Sequence, residues 1–168
     1  NSTNFSGTVD TGSGSDRVGI SGSVYSSTSE INTGDGNDSI FLNASSLELS
    51  LLTGSGNDFL SINGNNHFGL YQTESGKDTV DISADRFSGV VSTDSDNDIV
   101  NVLNSANNFF GDINTGSGDD DINIFTSNFR GDINGGDGFD TVTVNGSFRG
   151  RTTVNDVETL NFDTASIR

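Results

Sequence analysis

Seven aspartates recur 20 or 22 residues apart along this chain: Asp16, Asp38, Asp58, Asp78, Asp98, Asp120 and Asp140. Each closes a six-residue segment: TGSGSD from Thr11, TGDGND from Thr33, TGSGND from Thr53, TESGKD from Thr73, TDSDND from Thr93, TGSGDD from Thr115 and GGDGFD from Gly135. Carboxylates and hydroxyls are hard oxygen donors, and the glycines at positions two and four allow φ > 0 without a Cβ penalty. Such a set suits a cation, above all calcium, which takes six to eight oxygens in flexible geometry, where magnesium holds a stricter shell and keeps its waters. One such segment is explained by a tight turn with a solvated aspartate. Seven in register need a shared cause.

The flanking residues say what holds these segments in place. Two and four residues after each aspartate comes an aliphatic pair, from Val18 and Ile20 through Leu60 and Ile62 to Val142 and Val144. That period of two is a strand with one buried face. Two residues before each segment lies another apolar side chain (Val9, Ile31, Leu51, Tyr71, Val91, Ile113, Ile133), the mark of a second, shorter strand. Between the strands sits an aromatic corner: Phe5, Phe68, Phe87, Phe109, Phe129 and Phe148 form one column, with Leu47 in its place in one turn and Tyr25 near it in another. A unit of this kind cannot bury its inner face alone, so neighbours must stack. The expectation is an all-β fold: a flattened, β-roll-like parallel β-solenoid of seven or eight turns with two facing sheets, forming a single domain over residues 1–168. Residues 153–168 are read as the last turn or a C-terminal cap. The absence of proline fits strands that must all donate to a ladder.

Stacking places the seven carboxylates in one column about 4.8 Å apart, where each neighbouring pair repels by roughly 0.9 kcal/mol even at water's dielectric constant. Without a counter-ion that column opposes folding. The formal charge of −17 with only 30% hydrophobic residues makes the same point for the whole chain, since such a balance alone suggests disorder.

At this point the chain resembles the RTX (repeats-in-toxin) calcium-binding family, whose nonapeptide reads G-G-x-G-x-D-x-U-x with U a large aliphatic residue. GGDGFDTVT at 135–143 matches in full, and TGSGNDFLS at 53–61 matches all but the first glycine. The resemblance implies that loop carbonyls and the sixth-position aspartates bind calcium between successive turns, about six ions along one edge. Carried onto positions one, three and six, the candidate ligands are Thr11, Ser13 and Asp16; Thr33, Asp35 and Asp38; Thr53, Ser55 and Asp58; Thr73, Ser75 and Asp78; Thr93, Ser95 and Asp98; Thr115, Ser117 and Asp120; and Gly135, Asp137 and Asp140. Family members place the motif on both edges of the roll about every nine residues; here it occupies one edge only. TESGKD and TDSDND also lose glycines, so that Glu74, Asp94 and Asp96 either supply ligands of their own or mark altered sites, and Lys77 sets its loop apart.

The acidic charge excludes nucleic acid and anionic membrane surfaces as partners, both of which need a basic footprint. No apolar stretch approaches the length of a membrane span. With no cysteine, disulfides are unavailable and metal or polymerisation remains as the extra stabiliser. No catalytic constellation stands out, so the chain is read as non-enzymatic; Arg130, Arg149 and Arg151 are where an anionic glycan would bind if it were an enzyme, and otherwise serve surface solvation or contact with an acidic neighbour. The threonine column raises ice binding as a lesser reading. His67, a lone imidazole, is expected at the surface. Phe41, Phe59, Leu52, Leu70 and Val90 are expected to face outward in the middle turns, where apolar clusters mark contacts.

The sequence thus points to an extracellular, calcium-folded structural β-solenoid that assembles head-to-tail into a fibre, surface layer or adhesin. The alternative is a calcium-dependent carrier or folding module of a larger secreted toxin or hydrolase. Beginning at Asn1 and lacking methionine, the chain reads as processed or as a fragment.

Overall fold

The computed structural model describes residues 4–22, 24–25, 29–103 and 106–162 of the chain. Among them every regular element is a strand, and every strand pairs in parallel with its counterpart one turn away. The result is a β-solenoid of about seven turns. No helix of the described residues is long and apolar enough to cross a membrane.

The sequence period becomes the register. Val80 faces Val100, which faces Ile122, which faces Val142, and the second aliphatic rank runs Ile82, Val102, Ile124, Val144. All eight side chains are fully buried, and so are Ile31, Leu51, Tyr71, Val91, Ile113 and Ile133 from the opposite strands. Both faces therefore close one core. In two turns the strand itself continues: Ser39–Leu52 and Phe59–Gln72 run as 14-residue strands round the aromatic corner, joining the two sheets into one wrapped sheet. The C-terminal segment is a turn of the same kind. Val154 pairs with Ile133, and Thr159–Phe162 pairs with Thr141–Val144.

The aromatic column differs from the sequence expectation in one place. Leu47 pairs with His67 and His67 with Phe87, so the column runs Leu47, His67, Phe87, Phe109, Phe129, Phe148, and Phe68 stands one residue off it, facing Glu48. The side chains of Phe5 and Tyr25 lie outside the described residues. His67 is thus an interior residue and not a surface one: it is fully buried, with Nε2 2.8 Å from the Asn63 carbonyl and Nδ1 without a partner. Burial lowers its pKa, against a smaller upward pull from the Asn63 and Ala44 carbonyls. The glycines two residues after Phe87, Phe109 and Phe129 are a matter of space. A Cβ on Gly111 would lie 2.6 Å from the Phe87 ring of the preceding turn.

Of the outward apolar residues, Leu70 is exposed, whereas Phe41, Phe59, Leu52 and Val90 are half-buried. The rings of Phe41 and Phe59 lean together at 5.7 Å, and the Arg17 guanidinium covers Phe41 at 4.1 Å. Part of that patch is therefore covered by its own neighbours.

Candidate functional site

The aspartate corner is built from backbone outward. Within each loop the chain bends through φ > 0 at positions two and four, for example 88° and 137° at Gly34 and Gly36. Glycine is needed there because a Cβ on Gly34 would land on the Gly12 carbonyl oxygen of the turn before. Glu74, Asp94 and Asp96 hold the same bend without glycine, at 68°, 67° and 76°, a strained region for such residues. The parallel ladder continues through the bend: Asp35 N–H donates to the Gly12 carbonyl and Gly36 N–H to the Ser55 carbonyl, at 3.0 and 2.7 Å.

Inside this corner two side-chain ladders run along the stack. The hydroxyls of Thr11, Thr33, Thr53, Thr93 and Thr115 each donate to the position-one carbonyl of the next turn, at 3.0 to 3.2 Å. The ladder skips Thr73, whose hydroxyl has no hydrogen-bond partner. From Thr33 to Thr115 these residues are fully buried, so they present no face to ice or any other surface. Beside them each aspartate amide donates to Oδ1 of the next aspartate: Asp16 to Asp38, Asp38 to Asp58, Asp58 to Asp78, Asp78 to Asp98, Asp98 to Asp120 and Asp120 to Asp140, at 2.7 to 3.0 Å.

The second oxygens are the anomaly. Oδ2 of all seven aspartates is buried and has no hydrogen-bond partner. A buried acceptor without a donor forfeits roughly 1–3 kcal/mol, more when charged. The protonation equilibria register this cost: burial pushes Asp78 and Asp98 up to about 7, and the Asp58 and Asp78 amides, with the dipoles of the nearby Thr73 and Thr93 hydroxyls, offset it only in part. Burial also raises Asp58 and Asp140.

An eighth rung was not recognised in the sequence. Asp140 N–H donates to Glu158 Oε2 at 2.7 Å, so the longer glutamate takes the aspartate's place in a shortened loop. The signal was present, because Leu160 and Phe162 follow Glu158 at plus two and plus four, as in every earlier turn. Gly135 replaces threonine for a local reason: a Cβ there would strike the Asp140 carboxylate and the Asp156 carbonyl.

The candidate ligands therefore divide. From the second loop onward the threonines of position one and the aspartates of position six are buried together inside, whereas Thr11 is exposed and Asp16 half-buried. Position three lies on the outside of the corner: Ser13, Asp35, Ser55, Ser117 and Asp137 are exposed, Ser75 and Ser95 half-exposed, and Ser55 Oγ bonds the Asp35 carboxylate rather than the interior column. Asp94 and Asp96 are exposed and Glu74 half-exposed. A further outer ladder, unforeseen, uses position five: Asn37 Oδ1 accepts from Asn57 N–H, and Asn57 Oδ1 from Lys77 N–H, both at 2.8 Å.

Tested against calcium, the inner set fits: orphaned carboxylate oxygens aligned with hydroxyls are what a hard cation satisfies. The outer set does not face that column. Carboxylates arrive one per turn, and among the described residues no three acidic or imidazole groups gather at a point. An ion held here would draw on two aspartates of neighbouring turns, and on hydroxyl, carbonyl or water oxygens for the rest.

The chain matches no protein-family model, no curated protein and no solved structure.

Proposed function

We propose that this chain is a non-enzymatic, extracellular calcium-binding structural β-solenoid of RTX-like character, folded by its ions and self-associating into a fibre, surface layer or adhesin. The observation that supports the reading is the column of seven buried Oδ2 atoms with no donor. Thr11, Thr33, Thr53, Thr73, Thr93 and Thr115 with Asp16, Asp38, Asp58, Asp78, Asp98, Asp120 and Asp140 would hold calcium. When bound, the ion supplies positive charge between carboxylates that otherwise repel. The chain's own residues do the remaining work: the amides fix Oδ1 of Asp38 and of every later aspartate, every threonine but Thr73 fixes a position-one carbonyl, and the aliphatic ranks keep water from the column. Binding the native state alone stabilises it by mass action, and sites of about 10⁻⁴ to 10⁻³ M, as in extracellular modules, fill at millimolar calcium.

The test is a calcium titration after chelation, followed by far-UV circular dichroism and light scattering together. A β-rich signal that grows with calcium, along with mass, supports the structural polymer. Folding without growth in mass supports the carrier module. A chelated chain with unchanged spectrum and melting point removes calcium from the account.

A further inference from the structure

Four of the seven basic residues, Arg86, Arg130, Arg149 and Arg151, cluster around the aromatic corner, and all four are exposed. The guanidinium groups of Arg86 and Arg130 flank the Phe110 ring at 5.6 and 5.5 Å. Beside them Asn107, Asn108, Ser127, Asn128, Arg130 and Arg149 line a groove of about 380 Å³ whose lining, among the described residues, has two guanidinium groups and no carboxylate. Its amides are ordered along the stack, Asn128 Nδ2 donating to Asn108 Oδ1 at 2.7 Å, and Arg130 and Arg149 are steadied by Asn128 Oδ1 and the Ser127 carbonyl.

The opposite corner of the same turns is its complement. Asp119 and Asp137 are exposed there, and two residues after Asp137 the loop presents Phe139, 60% exposed, the most exposed large apolar side chain described. Its position is fixed, since Phe139 N–H donates to Asp119 Oδ1 at 2.9 Å. An aromatic flanked by charges and held on a rigid element is the kind of residue that anchors an interface.

We propose that the acidic edge of a second copy docks on this groove, with Phe139 entering between Arg130 and Arg149 and the second copy's Asp119 and Asp137 meeting their guanidinium groups. This rests on the self-association part of the function proposed above and specifies its contact. Charge and pitch together suit a second copy. Both edges belong to the same turns, so between copies of this chain an acidic ladder and a basic ladder of matching spacing meet rung for rung. Arg130 and Arg149 share the height of the loops carrying Asp119, Asp137 and Phe139, so the second copy sits sideways with little axial shift. Such a contact is heterologous and leaves each copy one free groove and one free edge, which propagates a row.

Sedimentation velocity on the calcium-loaded chain, with circular dichroism on the same samples, tests this. Association is expected at about 0.1 M salt, where long-range repulsion between acidic chains is screened, and is expected to fall at about 1 M, where contact pairs are screened as well. Arg149→Glu and Asp137→Arg each weaken association by at least roughly tenfold without changing the spectrum. The double variant restores it, as does equimolar mixing of the two single variants. Phe139→Ser weakens it in either background. A chain that stays monomeric, single variants that associate as before, or a double variant that fails to recover overturns the contact. If the contact fails while calcium still folds the chain, only this inference falls; if the chain folds and associates without calcium, the contact stands and the calcium reading falls.

Discussion

At the aromatic corner Phe87, Phe109 and Phe129 stack with centroids 4.9 and 4.7 Å apart and interplanar angles of 15° and 10°. At the opposite corner carboxylates recur in the same turns and at the same interval. One spacing serves two chemistries with opposite signs. Rings at that separation gain dispersion and lose nothing, because they carry no net charge and need no partner. Carboxylates there find a donor for one oxygen each and leave the other bare. A solenoid therefore converts any column into an amplifier of its own pairwise term, and only the column with the unfavourable term makes folding depend on what else is in solution.

The largest effect expected from breaking this contrast comes from the metal. Chelation should lower the melting temperature, relative to millimolar calcium, further than any single substitution does. In chelator alone, Asp98→Asn should raise stability by removing a bare charge, and in calcium it should shrink the ion's effect; melts of both proteins in both buffers decide the matter. Next in size, Phe109→Ala should cost about 3–5 kcal/mol by denaturant titration, and by the same amount with and without calcium, because the ring stack does not use the ion.

Two kinds of buried group tie stability to pH in opposite directions. Asp78 and Asp98 sit at about 7 in the fold against 3.8 in the unfolded chain, so the fold binds more protons between those values. Metal-free stability then falls as pH rises from about 4 to 7, and calcium should flatten or reverse that slope in melts across the range. His67 works the other way. Its pKa is lowered by burial, so its contribution is intact above about 6.5 and declines as pH falls below that value. His67→Phe should leave the carboxylate trend alone while removing the acid-side loss. Smallest is Thr53→Val, which removes one ladder hydrogen bond and should cost about 1 kcal/mol in a denaturant titration.

Periodicity made most of this legible from sequence. The aliphatic pairs after Asp78, Asp98 and Asp120 dictated their strands, and the pairing follows from spacings of 20 and 22 residues. The aspartates were legible as a column for the same reason. What the sequence did not reveal was which way each loop atom points. Threonine at position one and serine at position three are both small hydroxyls two residues apart, yet the bend at position two sends the first inward and leaves the second in water. His67 was missed because residue type outweighed register: the residue one turn before Phe87 belongs to the column whatever its polarity, and neighbouring Phe68 drew the assignment. Glu158 was missed because its loop is shorter, although the apolar pair behind it follows the rule.

Each aspartate lends its amide forward and accepts backward, so the ladder has a sense of travel. Removing the carboxylate of Asp98 strips the Asp78 amide of its acceptor and leaves the Asp98-to-Asp120 link intact. The lesion thus falls on the neighbouring coil toward the N-terminus and spares the one toward the C-terminus. Amide exchange after a single lesion would be lopsided about the wounded turn, fast upstream and slow downstream, as in a zip that can be opened from one side only.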